Sequence, residues 1–281
     1  MCEVNDNLND LVKSVTLTDD NSKLLNNDAD EPLTKPAPSA NVKQVLRERI
    51  WDLMKYHHFT HNYPPSPHNK IPNFKYCKVA ANKFTQLREY KNAKCVKINP
   101  SLAQMHLRYL TLLDRKQLLV PNPALEKGFF YFLDGKNLTE TQCRKGCSKL
   151  GASKLGNALT KDSKIKIDIV VVGCVVCTLQ GVRLGKGGGY GELEWAMLYE
   201  MGAVDENTLV ATTVHDCQII SSIDLPVSLM SSHDLPVDII VTPTRVMRVK
   251  NPLPKPTTGI LWDLITDQMM QDMPILQQFK P

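Results

Sequence analysis

Residues 164–198, KIKIDIVVVGCVVCTLQGVRLGKGGGYGELEWAML, decide the fold. The first part, Lys164 to Thr178, is a near-continuous apolar run, which reads as one strand covered on both faces; a half-exposed strand would alternate polar and apolar residues. Beyond the glycines, Leu193 to Ala203 reads as a helix closed by Gly202. Between the two, Arg183-Leu-Gly-Lys-Gly-Gly-Gly-Tyr190 sets four glycines around a lysine. A Gly-rich turn from a buried strand into a helix N-terminus suits an anion: glycine lets the backbone approach closely and aim its N–H groups, and the helix dipole favours negative charge. The spacing is not a Walker A loop, because Gly185-Lys186 is followed by Gly187 rather than Ser or Thr. Nor is it the Rossmann fingerprint, which needs a third glycine where Tyr190 stands. A merely flexible connection would seldom carry an arginine and a lysine among its glycines, so the loop is read as a phosphate site.

Working outward, helices and strands alternate. Val42, Leu46, Ile50, Leu53 and Met54 recur at helical spacing beside Lys43, Arg47 and Arg49, and Pro64, Pro65 and Pro67 exclude helix further on. Residues 77–93 read as a helix, 95–100 as a strand, 102–116 as a helix and 117–123 as a short strand ended by prolines. Residues 134–164 are polar and read as an irregular excursion. After the glycine loop and its helix come strands in 208–216 and 237–246, then a closing helix over 261–279 broken at Pro274. This pattern predicts an α/β fold: a mostly parallel open sheet with helices on both faces, a three-layer, Rossmann-like arrangement. Residues 1–39, rich in Asp, Asn and Pro, are expected to be a disordered polar tail, and residues 40–281 a single domain.

With 281 residues there is ample chain for a core, and 42% hydrophobic and 22% charged residues are ordinary for a globular protein. No apolar run approaches the ~20 residues that span a bilayer. The N-terminus has no signal-peptide pattern, so a cytoplasmic protein with no membrane partner is expected. The net charge of +5 is spread along the chain, which suits a phosphate-bearing small ligand at least as well as a polynucleotide. The eight cysteines read as reduced thiols. Cys174 and Cys177, three apart on the expected strand, would point to opposite faces, which argues against a zinc site. His57, His58, His61 and His68 fall in a proline- and asparagine-rich stretch with no acidic neighbours, read as a surface loop.

Three motifs in order, over about residues 40–260, resemble the 5-formyltetrahydrofolate cyclo-ligase (methenyltetrahydrofolate synthetase) family. They are Lys43-x-x-x-Arg47 on the first helix, the strand leading into Arg183-Leu-Gly-x-Gly-x-Gly-Tyr190, and His233-Asp234-x-x-Val-Asp238 before a final strand. Further stretches, among them VKINPSLAQMHLRYLTLL and GAVDENTLVATTVHDCQ, are similar to a divergent branch in which the domain is commonly followed by an RNA recognition motif. No strand of that module's aromatic kind is found up to Pro281, so RNA as a partner is implied only through relatives. The resemblance implies ATP and Mg²⁺ as cofactors, and nucleotide and folate as ligands. The implied reaction closes 5-formyltetrahydrofolate to 5,10-methenyltetrahydrofolate by phosphorylating the formyl oxygen so that it leaves as phosphate. It places Lys43, Arg47, Arg183, Gly185, Lys186, Gly187, Gly188, Gly189 and Tyr190 at the phosphates, and Asp234 with Glu192 at the metal.

The chain also departs from the pattern. The family's Tyr-Tyr-Asp-Arg is Tyr190-Gly191-Glu192-Leu193, so an aromatic and an arginine are lost and an aspartate is lengthened by a methylene. A Pro-Arg pair is Pro121-Asn122. The acidic anchor expected for the pterin is missing, since no acid lies between Asn99 and Asp114. These changes predict a retained phosphate cradle with an eroded substrate half, and a chain that leans away from catalytic turnover. An active, ATP- and magnesium-dependent enzyme with a remodelled pterin pocket is the alternative.

Overall fold

The computed structural model describes residues 39–121 and 130–280. The expected polar tail lies outside the described residues except for Ser39, which opens the first helix. In chain order the elements are α1 (Ser39–Tyr56), α2 (Cys77–Thr85), α3 (Arg88–Asn92), β1 (Cys95–Ile98), α4 (Met105–Leu113), β2 (Gln117–Pro121), β3 (Phe130–Asp134), α5 (Glu140–Gly146), α6 (Lys149–Leu155), β4 (Asn157–Leu159), β5 (Ile169–Val172), β6 (Val176–Cys177), β7 (Arg183–Leu184), α7 (Tyr190–Glu200), β8 (Leu209–Thr213), β9 (Ile239–Val241), β10 (Val246–Arg248) and α8 (Asp267–Asp272).

Eight strands form one sheet in the order β10-β9-β8-β5-β1-β2-β3-β4. The central strands β9, β8, β5, β1 and β2 pair in parallel, whereas β10, β3 and β4 run antiparallel at the two margins. Successive side chains on a strand face opposite ways, so β5 feeds two cores. Ile169 and Val171 pack with Leu46, Ile50 and Trp51 of α1 and Phe84 of α2. Val170 and Val172 pack with Trp195, Met197 and Leu198 of α7. All four residues of β5 are buried, each such side chain stabilising the fold by about 1.5–3 kcal/mol. The molecule is therefore a three-layer α/β structure with a mostly parallel sheet between helices.

The topology also contains a switch point. From β1 the chain crosses to β2 on one side and later returns to β5 on the other, so β1 and β5 flank the point at which strand order reverses. In open α/β sheets the crevice beyond the carboxyl ends of such strands is the usual ligand position.

Four local expectations are corrected. The run 164–178 is not one strand. The backbone leaves the sheet after Val172 at Gly173, where a Cβ would lie 2.7 Å from the Ile71 side chain, and β6 pairs separately with β7. The excursion 134–164 is ordered. Thr139 and Gln142 form a capping box for α5, Ser148 caps α6, and β4 pairs with β3. Its hydroxyl and amide residues, which read as loop, are helix caps, and its apolar Cys143 and Ala152 reach the core. The helix expected over 77–93 divides at Gln86-Leu87 into α2 and α3. The closing helix is instead a 3-10 turn (Trp262–Leu264), the short α8 capped by Thr266, and a 3-10 stretch opened by Pro274.

Candidate functional site: the glycine cleft and the cavity beside it

The glycine loop leaves β7 and enters α7 at the reversal point. Gly187 and Gly189 have φ of 102° and 65°, a backbone region that side chains with a Cβ disfavour. Gly189 is the N-cap of α7 and offers no side chain to close the helix end. Among the described residues nothing accepts a hydrogen bond from the N–H groups of residues 186–189, which are exposed. Orphan N–H groups at a helix start are the physical basis of anion binding. The loop borders a cavity of about 230 Å³, which also meets Asn99 beyond β1 and Val172 and Gly173 at the end of β5.

The residues expected at the phosphates converge on this cleft, with different duties. Lys186 is exposed, its ammonium 4.8 Å from the centre of the Tyr190 ring. The Arg47 Nε donates to the Gly185 carbonyl at 2.8 Å and so braces the loop from below. Burial pulls the Arg47 guanidinium below its ordinary range, with Asp234 opposing the shift. The Lys43 Nζ donates to the Asp234 Oδ2 at 2.6 Å, and that oxygen also accepts from the Ser231 N–H at 2.7 Å. A residue expected at the phosphates and one expected at the metal are thus partners of each other.

Arg183 borders the cleft but is 3% exposed. Its Nε donates to the Leu235 carbonyl at 3.0 Å, its Nη1 to the Gly173 carbonyl at 3.3 Å, and its Nη2 to the Glu192 carboxylate. Burial lowers its pKa, the nearby Cys174 and Asp234 opposing. Glu192 lies in the first turn of α7, where its charge also meets the helix N-terminus. Leu193, standing where the resemblance puts an arginine, turns into the α7-side core at 6% exposed. Of the third motif, His233 and Asp234 line the cleft, whereas Asp238 accepts from the Val210 N–H at 2.7 Å and binds Lys255 at 3.1 Å, tying β9 to its neighbours.

A second cavity, of about 710 Å³, adjoins the cleft and shares Ile71, Asn99, Lys186 and Tyr190 with it. Its walls include Leu102, Met105 and Arg108 from the stretch where an acidic anchor was sought, together with Pro121; Asn122 lies outside the described residues. The cavity does hold an acid, from another element: Glu194, one turn into α7. The Glu194 Oε2 accepts from the fully buried Lys97 Nζ, which also donates to the Asn99 Oδ1 at 2.8 Å. Burial pulls the Lys97 pKa down and Glu194 opposes it.

Sequence reasoning missed this pair, although both halves left a trace. A lone lysine inside a strand covered on both faces needs a counter-charge. Glu194 sits on the apolar face of its helix, three and four residues before Met197 and Leu198.

Among the described residues no group of three or more His, Cys, Asp or Glu side chains is placed to hold a metal. Cys174 precedes β6 rather than lying on it, and both it and Cys177 are buried. No described helix is long and apolar enough to cross a membrane.

The fold is a mostly parallel α/β sheet with a glycine loop at its switch point and a larger cavity beside it, and sequence comparison sets the chain in a family. The chain belongs to the 5-formyltetrahydrofolate cyclo-ligase family, whose profile matches residues 39–243. It is 41% identical over 245 residues to the methenyltetrahydrofolate synthase domain-containing protein of Bos taurus, covering 86% of this chain and 63% of that protein. It is 40% identical over 239 residues to the protein of the same description from Mus musculus, covering 85% and 63%. The chain thus spans less than two thirds of these relatives' length. Among solved structures it is similar to the NMR structure of Aquifex aeolicus 5,10-methenyltetrahydrofolate synthetase, at 16% identity and a TM-score of 0.46, covering 76% of this chain and 94% of that one.

Proposed function

We propose that the chain is a nucleotide-phosphate-binding member of its family with little or no cyclo-ligase turnover, the larger cavity being the folate side of the same site. The open N–H groups of residues 186–189, the exposed Lys186, and Lys43 held at the cleft wall suit phosphate oxygens. Arg47 supports the loop that presents them.

The observation that carries the reading is the bond between Arg183 and Glu192. The reaction of the family depends on positioning and charge neutralisation rather than on a covalent protein intermediate. In this chain the carboxylate at the family's aspartate position is held by an internal cation. Its extra methylene shifts the oxygen by about 1 Å, a displacement that costs roughly a hundredfold where geometry is the catalysis. Leu193, turned into the core, adds no charge at the phosphates.

The fit to magnesium is partial. Mg²⁺ is commonly held by one or two carboxylates together with substrate phosphates. Both carboxylates lining the cleft already have cations, Lys43 on Asp234 and Arg183 on Glu192. Asp234 is the one that would serve a phosphate-borne ion, once Lys43 turned to the phosphate, and such an ion would supply charge neutralisation there.

One observation favours the second reading, an active folate enzyme: Glu194 gives the larger cavity the acid that residues 99–114 do not. A turnover assay separates the two. Purified chain with ATP, Mg²⁺ and 5-formyltetrahydrofolate is expected to give no steady rise in methenyltetrahydrofolate absorbance. Steady turnover that disappears in Lys43→Ala would establish the second reading instead.

A further inference from the structure

The larger cavity has one acid among its lining residues, and the surroundings of that acid are unusual. Glu194 lies at the cavity wall with its side chain 10% exposed, against a lysine whose side chain is fully buried. Lys97 is on the α7 side of β1 for a geometric reason. It shares the strand face of Cys95, which belongs to the α7-side core, whereas Val96 and Ile98 belong to the other. The lysine therefore arrives beneath α7, where the cation meets Glu194 and the Asn99 side chain. Among the described residues the other oxygen of Glu194, Oε1, accepts from no group, and it is not among the buried atoms lacking a partner. It is thus an open acceptor on the cavity surface.

The rest of the cavity limits what meets that acceptor. Met105, Met197, Leu193 and Tyr190 give it flat, apolar walls. Lys149 and Lys186 also line it, and no carboxylate pairs with either among the described residues. Burial lowers the Lys149 pKa, and the charges of Lys186 and Arg108 add to that fall, so an anion there would relieve repulsion. Pockets of this kind commonly set a few polar groups in an apolar lining to orient a small ligand.

We propose that Glu194, backed by Lys97, is the specificity residue of the larger cavity, reading a flat heterocycle by an amidine-type N–H donor edge while Lys149 receives the ligand's anionic end. This rests on the reading of that cavity as a ligand site continuous with the glycine cleft. It adds which residue orients the ligand and what chemistry that residue selects. The resemblance assigned no role to this position, and the acid comes from the helix after the glycine loop rather than from residues 99–114.

The test is calorimetric titration of the whole chain with three probes: 5-formyltetrahydrofolate, which carries an aminopyrimidinone edge and an anionic tail; p-aminobenzoylglutamate, which carries the tail alone; and ATP with Mg²⁺. Glu194→Gln is expected to weaken 5-formyltetrahydrofolate by about 10- to 100-fold, the range of a hydrogen bond to a charged group. The tail probe and ATP should stay within about twofold. Because Glu194→Gln leaves the Lys97 ammonium buried without its charge partner, the pair Lys97→Met with Glu194→Leu serves as the second variant. Replacing both partners by apolar groups of similar size is often neutral for stability, and the same selective loss is expected. Unchanged 5-formyltetrahydrofolate binding in both variants would overturn the assignment of Glu194 while leaving the folate reading of the cavity intact. A parallel loss of the tail probe would also overturn it, since Glu194 would then act by holding the cavity's shape. If the unaltered chain fails to bind 5-formyltetrahydrofolate at millimolar concentration while still binding ATP, the folate reading itself falls, and this inference with it.

Discussion

Replacing Arg183 by methionine separates a structural arginine from a ligand-binding one. In the structure this guanidinium satisfies two backbone carbonyls, Leu235 at 3.0 Å and Gly173 at 3.3 Å, and the carboxylate of Glu192. Breaking a buried ion pair by removing one partner costs about 3–5 kcal/mol. Each buried carbonyl left without a donor adds about 1–3 kcal/mol. These terms share one site and do not add simply, so about 4 kcal/mol is the expected destabilisation, a large fraction of a typical domain's stability. Glu192 is more accessible, with its side chain 17% exposed, and Glu192→Gln should cost about 1–2 kcal/mol because water can partly replace it. Urea unfolding of wild type, both single variants and the double variant closes a thermodynamic cycle, in which a coupling of at least about 1 kcal/mol is expected. A loss under 1 kcal/mol in Arg183→Met, together with abolished ATP binding, would refute this reasoning and make Arg183 a phosphate ligand.

Three further outcomes are expected. Lys43→Ala should weaken ATP binding by about 1–3 kcal/mol, the worth of a charge-assisted hydrogen bond, as read by calorimetry; unchanged affinity would remove Lys43 from the site. Gly187→Ala should lower stability by about 1–3 kcal/mol through its φ of 102° alone, because the nearest atom to a Cβ there is 3.5 Å away on Arg47; a variant as stable as wild type in thermal melts would contradict that geometry. The third concerns His215, which stacks on Phe59 with ring centres 4.5 Å apart and is pulled by burial to about 4. Its folded pKa is below the unfolded value, so its contribution is whole above about pH 6.5 and declines as pH falls toward 4. The decline reaches roughly 3 kcal/mol at the lower end. Denaturant midpoints at pH 7.5 and 4.5 should therefore fall less in His215→Asn than in wild type, and an equal fall would exclude this imidazole as the cause.

Much of the architecture was legible because it depends on local pattern. The apolar run of β5 is buried on both sides as its composition demands, and the glycine loop takes the positive φ values that only glycine adopts freely. The segment 134–164 was misread because hydroxyl and amide residues serve equally as loop and as cap, whereas the strand over 164–178 was broken by the close packing at Gly173. Thr139, Gln142 and Ser148 in 134–164 turned out to open helices rather than interrupt them. The residues named from the sequence border one cleft, but their pairings were not legible. Lys43 meets Asp234 across 191 residues and Lys97 meets Glu194 across 97, distances that only the strand order closes. No spacing rule separates a cation that awaits a phosphate from one already held by a carboxylate. Arg183 shows the consequence: the motif marks it beside the glycines, while burial and three acceptors make it a brace beneath them.

The central claim, that the glycine cleft holds a phosphate it does not transfer, is tested most directly by titrating ATP with Mg²⁺ into the purified chain in the presence of 5-formyltetrahydrofolate. Heat and methenyltetrahydrofolate absorbance would be followed together. The account predicts saturable binding at millimolar nucleotide or below, weakened in Lys43→Ala, with no accumulation of the methenyl product. No binding at millimolar ATP would contradict the phosphate site, and product formed in step with ATP consumption would contradict the absence of transfer.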